Sequence, residues 1–216
     1  MQFNKNRRLA LASQALAAIA LVAAGLPAQA QNWPDRPIKL VVPYPAGGNA
    51  DNTARLLATQ LSARLGQQVV VDNRPGGGGT IGAAAVAKAA PDGYTLLLDA
   101  TAFTVNPSLF ARLPFDAAKD FAPISLVMQA PLLLVVPAAS PFKTVADVVQ
   151  AAKARPGHLT YASAGNGGAQ HLAGELFKQG AKMSMTHIPY RGGAPALTDL
   201  IGGQVELMFS ATTASG

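Results

Sequence analysis

The sequence has no cysteine, few charged residues and few aromatic ones. The missing cysteine excludes a disulfide framework, thiolate metal sites and a Cys nucleophile. Only 13% of the 216 residues are charged, 17 Lys or Arg against 11 Asp or Glu, and the basic residues are not clustered. A nucleic-acid footprint needs such clustering, so nucleic acid is excluded as a partner. There is no Gly-Lys-Ser or Gly-Lys-Thr, which excludes a Walker-type phosphate loop. Half of the residues are nonetheless hydrophobic, which excludes a disordered chain.

The N-terminus reads as a leader. Lys5, Arg7 and Arg8 precede an apolar run from Leu9 to Leu26, broken only by Ser13 and Gln14. Pro27 and the small-residue step Ala28-Gln29-Ala30 follow. Charged head, apolar middle and small-residue cut are the layout of a secretory signal peptide, with cleavage expected after Ala30 and a periplasmic destination. A retained anchor is the rival reading, because eighteen residues can just span a bilayer, but it leaves the Ala-x-Ala step unexplained. Removing the three leader cations lowers the net charge from +6 to +3.

The rest alternates between strand-like runs, glycine-rich loops and helical patterns. Strands are expected at 38–43, 68–72 and 94–98, with helices at 54–65 and 81–89 between them. This order predicts a parallel sheet covered by helices on both faces. Residues 101–123 read mostly as loop with one helical turn, and 126–128 and 132–136 as strands. Thr144 and Asp147 form a capping box that opens a helix to about Ala154. Further strands are expected at 159–162, 185–188 and 205–209, with helices starting at Ala169 and Pro195. The fold class is α/β, with domains expected at 31–128 and 129–216 after the leader at 1–30.

A strand, a glycine-rich turn and a helix recur at 43–51 and 163–171. Such turns let backbone N–H groups and a helix N-terminus meet a carboxylate or phosphate. Two of them on facing lobes would clamp an anion. Rival chemistries fit less well. Gly77 to Gly82 imitates the dinucleotide fingerprint, with Asp99 as the acid, but Asn73 to Gly76 separate it from its strand. Ser163 has Tyr161 where a nucleophile elbow needs glycine, so that motif is broken. A secreted α/β hydrolase acting on a carboxylated substrate through Ser163 and His171 is kept as the alternative. His171 and Glu175 stand one helical turn apart; the plainer reading is a loop-bonded His and a solvated Glu rather than a metal pair. Arg74 is expected to pair with Asp72. No metal, cofactor or catalytic residue is expected.

Several segments together resemble the Bug-type solute receptors of tripartite tricarboxylate transporters. They are Pro37 to Asp51, Asn73 to Gly79, Ala89 to Tyr94, Tyr161 to Gly168 with His171, and Pro189 to Ala196 with Asp199-Leu200. The resemblance implies a two-lobed periplasmic binding protein, type II-like, that closes around a small organic acid without catalysis. It also implies membrane transport subunits as partners and a monomeric receptor. From the first lobe, Tyr44, Ala46, Gly47, Gly48, Asn49 and Asp51 would bind the ligand, joined by Thr101. From the second, Ser163, Ala164, Gly165, Asn166, Gly167, Gly168 and His171 would face it, with Tyr190, Arg191 and Gly192 nearby. The family pattern implies an acidic residue after the last strand, where this sequence has Ser210. It also implies a longer polypeptide that crosses back to complete the first lobe. The first lobe is therefore expected to be incomplete and the sequence truncated at its C-terminal end.

Overall fold

The computed structural model describes residues 32–211. The expected signal peptide, its cleavage after Ala30 and the rival anchor lie outside the described residues. No helix among those described is long and apolar enough to cross a membrane.

From Arg36 onward the strands form two sheets. The first contains β1 (Ile38–Val42), β2 (Val69–Asn73) and β3 (Thr95–Leu97), in the order β2-β1-β3 and all parallel. The central strand β1 buries Ile38, Leu40, Val41 and Val42 and exposes only Lys39. That near-continuous apolar run suits a strand covered on both faces. Helix α1 (Asn49–Leu65) packs Ala54 and Ala58 against Ile38, Leu40, Val42 and Val69. It ends at Gly66, whose left-handed φ of 68° lets its N–H reach Ser62 O. Helix α2 (Thr80–Ala87) and helix α3 (Ala102–Leu109) complete this side.

The second sheet has the order β4-β7-β5-β6, from β4 (Leu132–Val135), β5 (Thr160–Ser163), β6 (Thr186–Pro189) and β7 (Leu207–Ala211). Strands β5, β6 and β7 are parallel, whereas β4 runs antiparallel to β7. Successive side chains point to opposite faces. Tyr161 and Leu207 join one cluster with Val148 and Ala152 of α4 (Val145–Ala154). Ala162 and Met208 join the other with Ala196 and Leu200 of α6 (Gly193–Ile201). Helix α5 (Ala169–Ala181) lies against Tyr161, where a Cβ on Gly174 would overlap the tyrosine ring.

Three expectations need correction. Residues 126–128 form no strand; Leu126 and Val127 are exposed and no described strand pairs with them. Within 101–123 the single expected turn is the eight-residue α3, which carries Pro107. Phe103 from this helix stacks on Phe115 and meets Phe121 edge-on, and this aromatic cluster offsets the hydrogen bond that proline removes. Ser210, expected just past the last strand, lies inside β7, buried and opposite Leu133.

Candidate ligand-binding cleft

In a parallel sheet the loops at the carboxyl ends of the strands lead into helix N-termini. Here β1 leads into α1, β5 into α5 and β6 into α6. All three helices begin after a glycine N-cap, Gly48, Gly168 and Gly192, and none has a side-chain cap. Each therefore leaves first-turn N–H groups without an intrahelical partner. These ends converge. A Cβ on Gly48 would stand 3.8 Å from Ala194 N and 4.0 Å from Gly193 N, so α1 and α6 meet head to head. A Cβ on Gly193 would stand 3.9 Å from Gln170 Nε2, in the first turn of α5. A Cβ on Gly192 would overlap the Pro45 ring, so the two loops are in direct contact. Three aligned N-termini concentrate positive potential, each worth about 0.3–1 kcal/mol to a nearby anion.

The residues expected to bind are divided by the geometry. Ala46, Gly47 and Asn166 are exposed, as are Thr101 and Arg191. Gly47 has a φ of 81°, and a Cβ there would meet nothing within 4 Å. Asp51, expected to face the ligand, is buried and turned inward. It accepts hydrogen bonds from Gly47 N (2.9 Å), Arg55 Nε (2.9 Å) and Asn73 Nδ2 (2.9 Å). Burial pushes its carboxyl up, but Arg55, the Gly47 amide and Asn73 outweigh that and hold it below the usual range. It fixes the first loop rather than a ligand. Asn49 opens α1 and Gly48 lies buried beside it.

The glycine-rich loop after β5 also spends most of its amides on itself. Ala164 N donates to Gln170 Oε1 (2.8 Å), Gly165 N to Ser163 Oγ (3.1 Å) and Gly167 N to His171 Nδ1 (3.1 Å). Gly168 N bonds Gly165 O. The expectation of a loop whose amides face the ligand throughout is corrected: Ala164, Gly165, Gly167 and Gly168 donate within the loop or to the first turn of α5. Gly167 is buried, with a φ of 76°, and a Cβ there would stand 2.5 Å from Leu109 Cδ1 of α3. The loop is thus seated against the first-sheet side, where Asn166 O also approaches Gly78. Tyr190 donates its hydroxyl to Asp199 (2.7 Å), and burial raises its pKa.

Ser163 does not pair with His171. Its hydroxyl lies 2.6 Å from His187 Nε2, and the residue is 0% exposed. A nucleophile sealed from solvent reaches no substrate, which weakens the hydrolase alternative. His171 instead stacks on His187, with ring centroids 4.1 Å apart. Among the described residues no group of His, Asp and Glu has the arrangement of a metal site. Glu175 is only half-exposed and, beyond the solvated role expected for it, receives Tyr161 Oη (2.6 Å) and Lys178 Nζ (2.8 Å). The expected Arg74–Asp72 pair is present at 2.8 Å.

Sequence reasoning missed three contributors. His187 lies beneath the second loop, and Asn73 locks Asp51. Asp99 follows β3, and it accepts from Tyr44 Oη (2.9 Å) and Ala100 N (2.7 Å). Its Oδ2 is buried without a partner, and burial pushes the carboxyl up to about 6, against the pull of the Ala100 amide and the Tyr44 hydroxyl. Tyr44 is raised in turn, by burial first and then by Asp99. Only the strand-end position of Asp99 hinted at such a place. Asn73 opens a segment already singled out, but nothing in it assigned its amide a partner, and for His187 no motif pointed to this place.

A family profile described as "Tripartite tricarboxylate transporter family receptor" matches residues 53–215. A UPF0065 protein from the tcbD–tcbE intergenic region of a Pseudomonas species is 43% identical over 92% of this chain and 60% of its own length. BugT of Bordetella pertussis is 41% identical over 87% of this chain and 58% of its own length. The chain thus spans about 60% of the length of these relatives. Among solved structures, Rpa4515 of R. palustris with adipate is 40% identical with a TM-score of 0.82, over 85% of this chain and 62% of that one. The periplasmic binding protein BugD is 40% identical with a TM-score of 0.79, over 84% and 60%. MatC from Rhodopseudomonas palustris with bound malate is 33% identical with a TM-score of 0.77, over 85% and 63%. With the α/β fold of solved periplasmic binding proteins and a profile match over most of its length, the chain belongs to the tripartite tricarboxylate transporter receptor family, the Bug or TctC receptors.

Proposed function

We propose that this chain is the ligand-binding part of an exported solute receptor that takes a small carboxylate between the N-termini of α1, α5 and α6. The observation that carries the reading is the convergence of three glycine-capped, otherwise uncapped helix ends. A carboxylate placed there meets first-turn amides and three favourable dipoles together. Ala46, Gly47, Asn166, Thr101 and Arg191 are exposed, and in this reading they contact what hangs from the acid group. Solved relatives with adipate and malate make small di-acids and hydroxy-di-acids the first candidates.

In this reading the lobes are residues 31–128 and 129–216, and closing them around the acid is the whole mechanism, with no bond made or broken. Residues 1–30 direct export to the periplasm and are removed after Ala30. The monomeric receptor then presents its ligand to the membrane subunits of a tripartite transporter.

Calorimetry with adipate, malate, tricarboxylates and aromatic acids tests the reading. At least one acid is expected to bind and be recovered unchanged. Conversion of a carboxylated substrate to product, abolished by Ser163→Ala, would establish the hydrolase alternative instead.

A further inference from the structure

We propose that His171 is a positioning residue: its neutral ring holds the Gly167 amide, ties the shape of the second loop to a proton, and so makes ligand affinity pH-dependent. The inference rests on the carboxylate-receptor reading for its effect on affinity, though not for its effect on the loop.

Two amides of this loop are tied to imidazoles, one directly and one through the Ser163 hydroxyl. Gly167 N donates directly to His171 Nδ1 at 3.1 Å. Gly165 N donates to Ser163 Oγ at 3.1 Å, and that oxygen lies 2.6 Å from His187 Nε2. An Nδ1 that accepts carries no proton, so the proton of neutral His171 is on Nε2, which faces Glu175 Oε1 at 3.8 Å. The two rings stack at 4.1 Å and 17°, and His187 stacks in turn on Tyr161 at 4.9 Å.

A second proton on His171 must go to Nδ1. There it would point at the Gly167 N–H, setting donor against donor. The same charge would sit against His187, which burial, and then the charge of His171, hold down to about 4. Among the described residues, the charged groups around His171 are Glu175 and Lys178 from α5, and the titratable groups facing it from the sheet are His187 of β6 and Tyr161 of β5. From the first-sheet side Val105, Leu109 and Asn106 approach Gly167, and none of them titrates. Glu175 favours the cation but is already shared between Tyr161 and Lys178. Gly167 lies close beside Leu109 and Val105 of α3, so losing its hydrogen bond disturbs the loop where it packs on the first-sheet side. Affinity is therefore high while His171 is neutral and falls as it is protonated.

The test combines calorimetry with adipate and malate, from about pH 8 to about pH 5, with 15N NMR of the histidine side chains. The wild type should lose about tenfold or more in affinity across that range, the scale of one buried hydrogen bond replaced by an unmet donor. His171→Asn offers a non-titrating acceptor near Nδ1. It should restore most of the affinity that His171→Leu loses at pH 8 and show no acid drop. Asp99→Asn should keep the drop, separating His171 from the acid pushed up to about 6. NMR should show Nδ1 unprotonated at pH 8 and the Gly167 amide shift moving with His171 titration, with or without ligand. A protonated Nδ1 at pH 8, a flat wild-type profile, or an unchanged drop in His171→Asn overturns the proposal. If no acid of the full panel binds while the NMR result holds, the carboxylate reading fails and the positioning role stands.

Discussion

The N-terminus of α4 and those of α1, α5 and α6 solve the same problem in opposite ways. At α4, Thr144 Oγ1 accepts from Asp147 N while the Asp147 carboxylate accepts from Thr144 N and Lys143 N. Those amide contacts hold the Asp147 carboxyl below its ordinary range. There the cap is made by the chain's own side chains, and an acidic group already occupies the helix end. At the cleft the N-caps are glycines, which bring no side chain to cap the helix end. The difference is small in stability, since a glycine cap forgoes only about a few tenths of a kcal/mol relative to a side-chain cap, but three such ends lie together where an anion would meet them. Two acids on the first-sheet side repeat the contrast. Asp51 has three donors and a lowered pKa, whereas Asp99 keeps one oxygen buried and unmet and is raised.

The largest effect on this comparison is expected from Gly167→Val. It forces a β-branched residue into a φ of 76° and drives its side chain into Leu109. Stability should fall by about 3 kcal/mol or more in denaturant melts, with binding lost. Gly47→Val shares the backbone strain but meets open space, so it should lose binding at a smaller cost in stability.

Gly48→Asp attacks the contrast directly. The N-cap backbone there is already extended, with φ −85° and ψ 170°, and a Cβ would make only ordinary contacts. The new carboxylate should cap α1, raise stability by about 0.5–1 kcal/mol and compete with the ligand acid. Higher thermal stability with abolished binding is the expected pair of results; unchanged binding would show that α1 does not receive the acid.

Asp99 supplies a pH test. Its raised pKa means that between about pH 4 and about 6 the folded chain holds a proton that the unfolded chain has released. Its contribution to stability is thus complete below the ordinary aspartate range and is lost as pH rises through about 6. Asp99→Asn should flatten that window in a melting-temperature profile and gain about 1–2 kcal/mol at neutral pH.

The smallest effect is expected from Thr144→Ala. It should cost about 1 kcal/mol in a denaturant melt and leave ligand affinity unchanged, because α4 follows β4, which runs antiparallel to β7 and so ends at the end of the sheet away from the loops after β5 and β6. A loss of affinity would erase the distinction between the two kinds of helix end.

Much of this was legible before any coordinates. The run from Ile38 to Val42 is apolar without alternation, as a strand buried on both faces requires, and Thr144 with Asp147 spells out its own cap. These are local rules, in which backbone geometry and the nearest side chains settle the outcome. Residues 126–128 read as a strand by the same rules, yet a strand exists only where a neighbour pairs with it. The eight-residue α3 was hidden because its Phe103 packs on Phe115 and Phe121, rings far along the chain.

The glycine-rich turns were visible as possible anion sites, but the direction of their amides was not. Whether Gly167 N meets a ligand or His171 depends on where α5 places a ring. Whether Asp51 faces a ligand depends on Asn73, twenty-two residues away. By itself the sequence determined the strands that pair in the two sheets, the loops between strand and helix, the glycine caps and the absence of thiol chemistry. Only tertiary structure decided which donors are spent and which remain, because a hydrogen bond is short and directional and its partner is chosen by packing rather than by order along the chain.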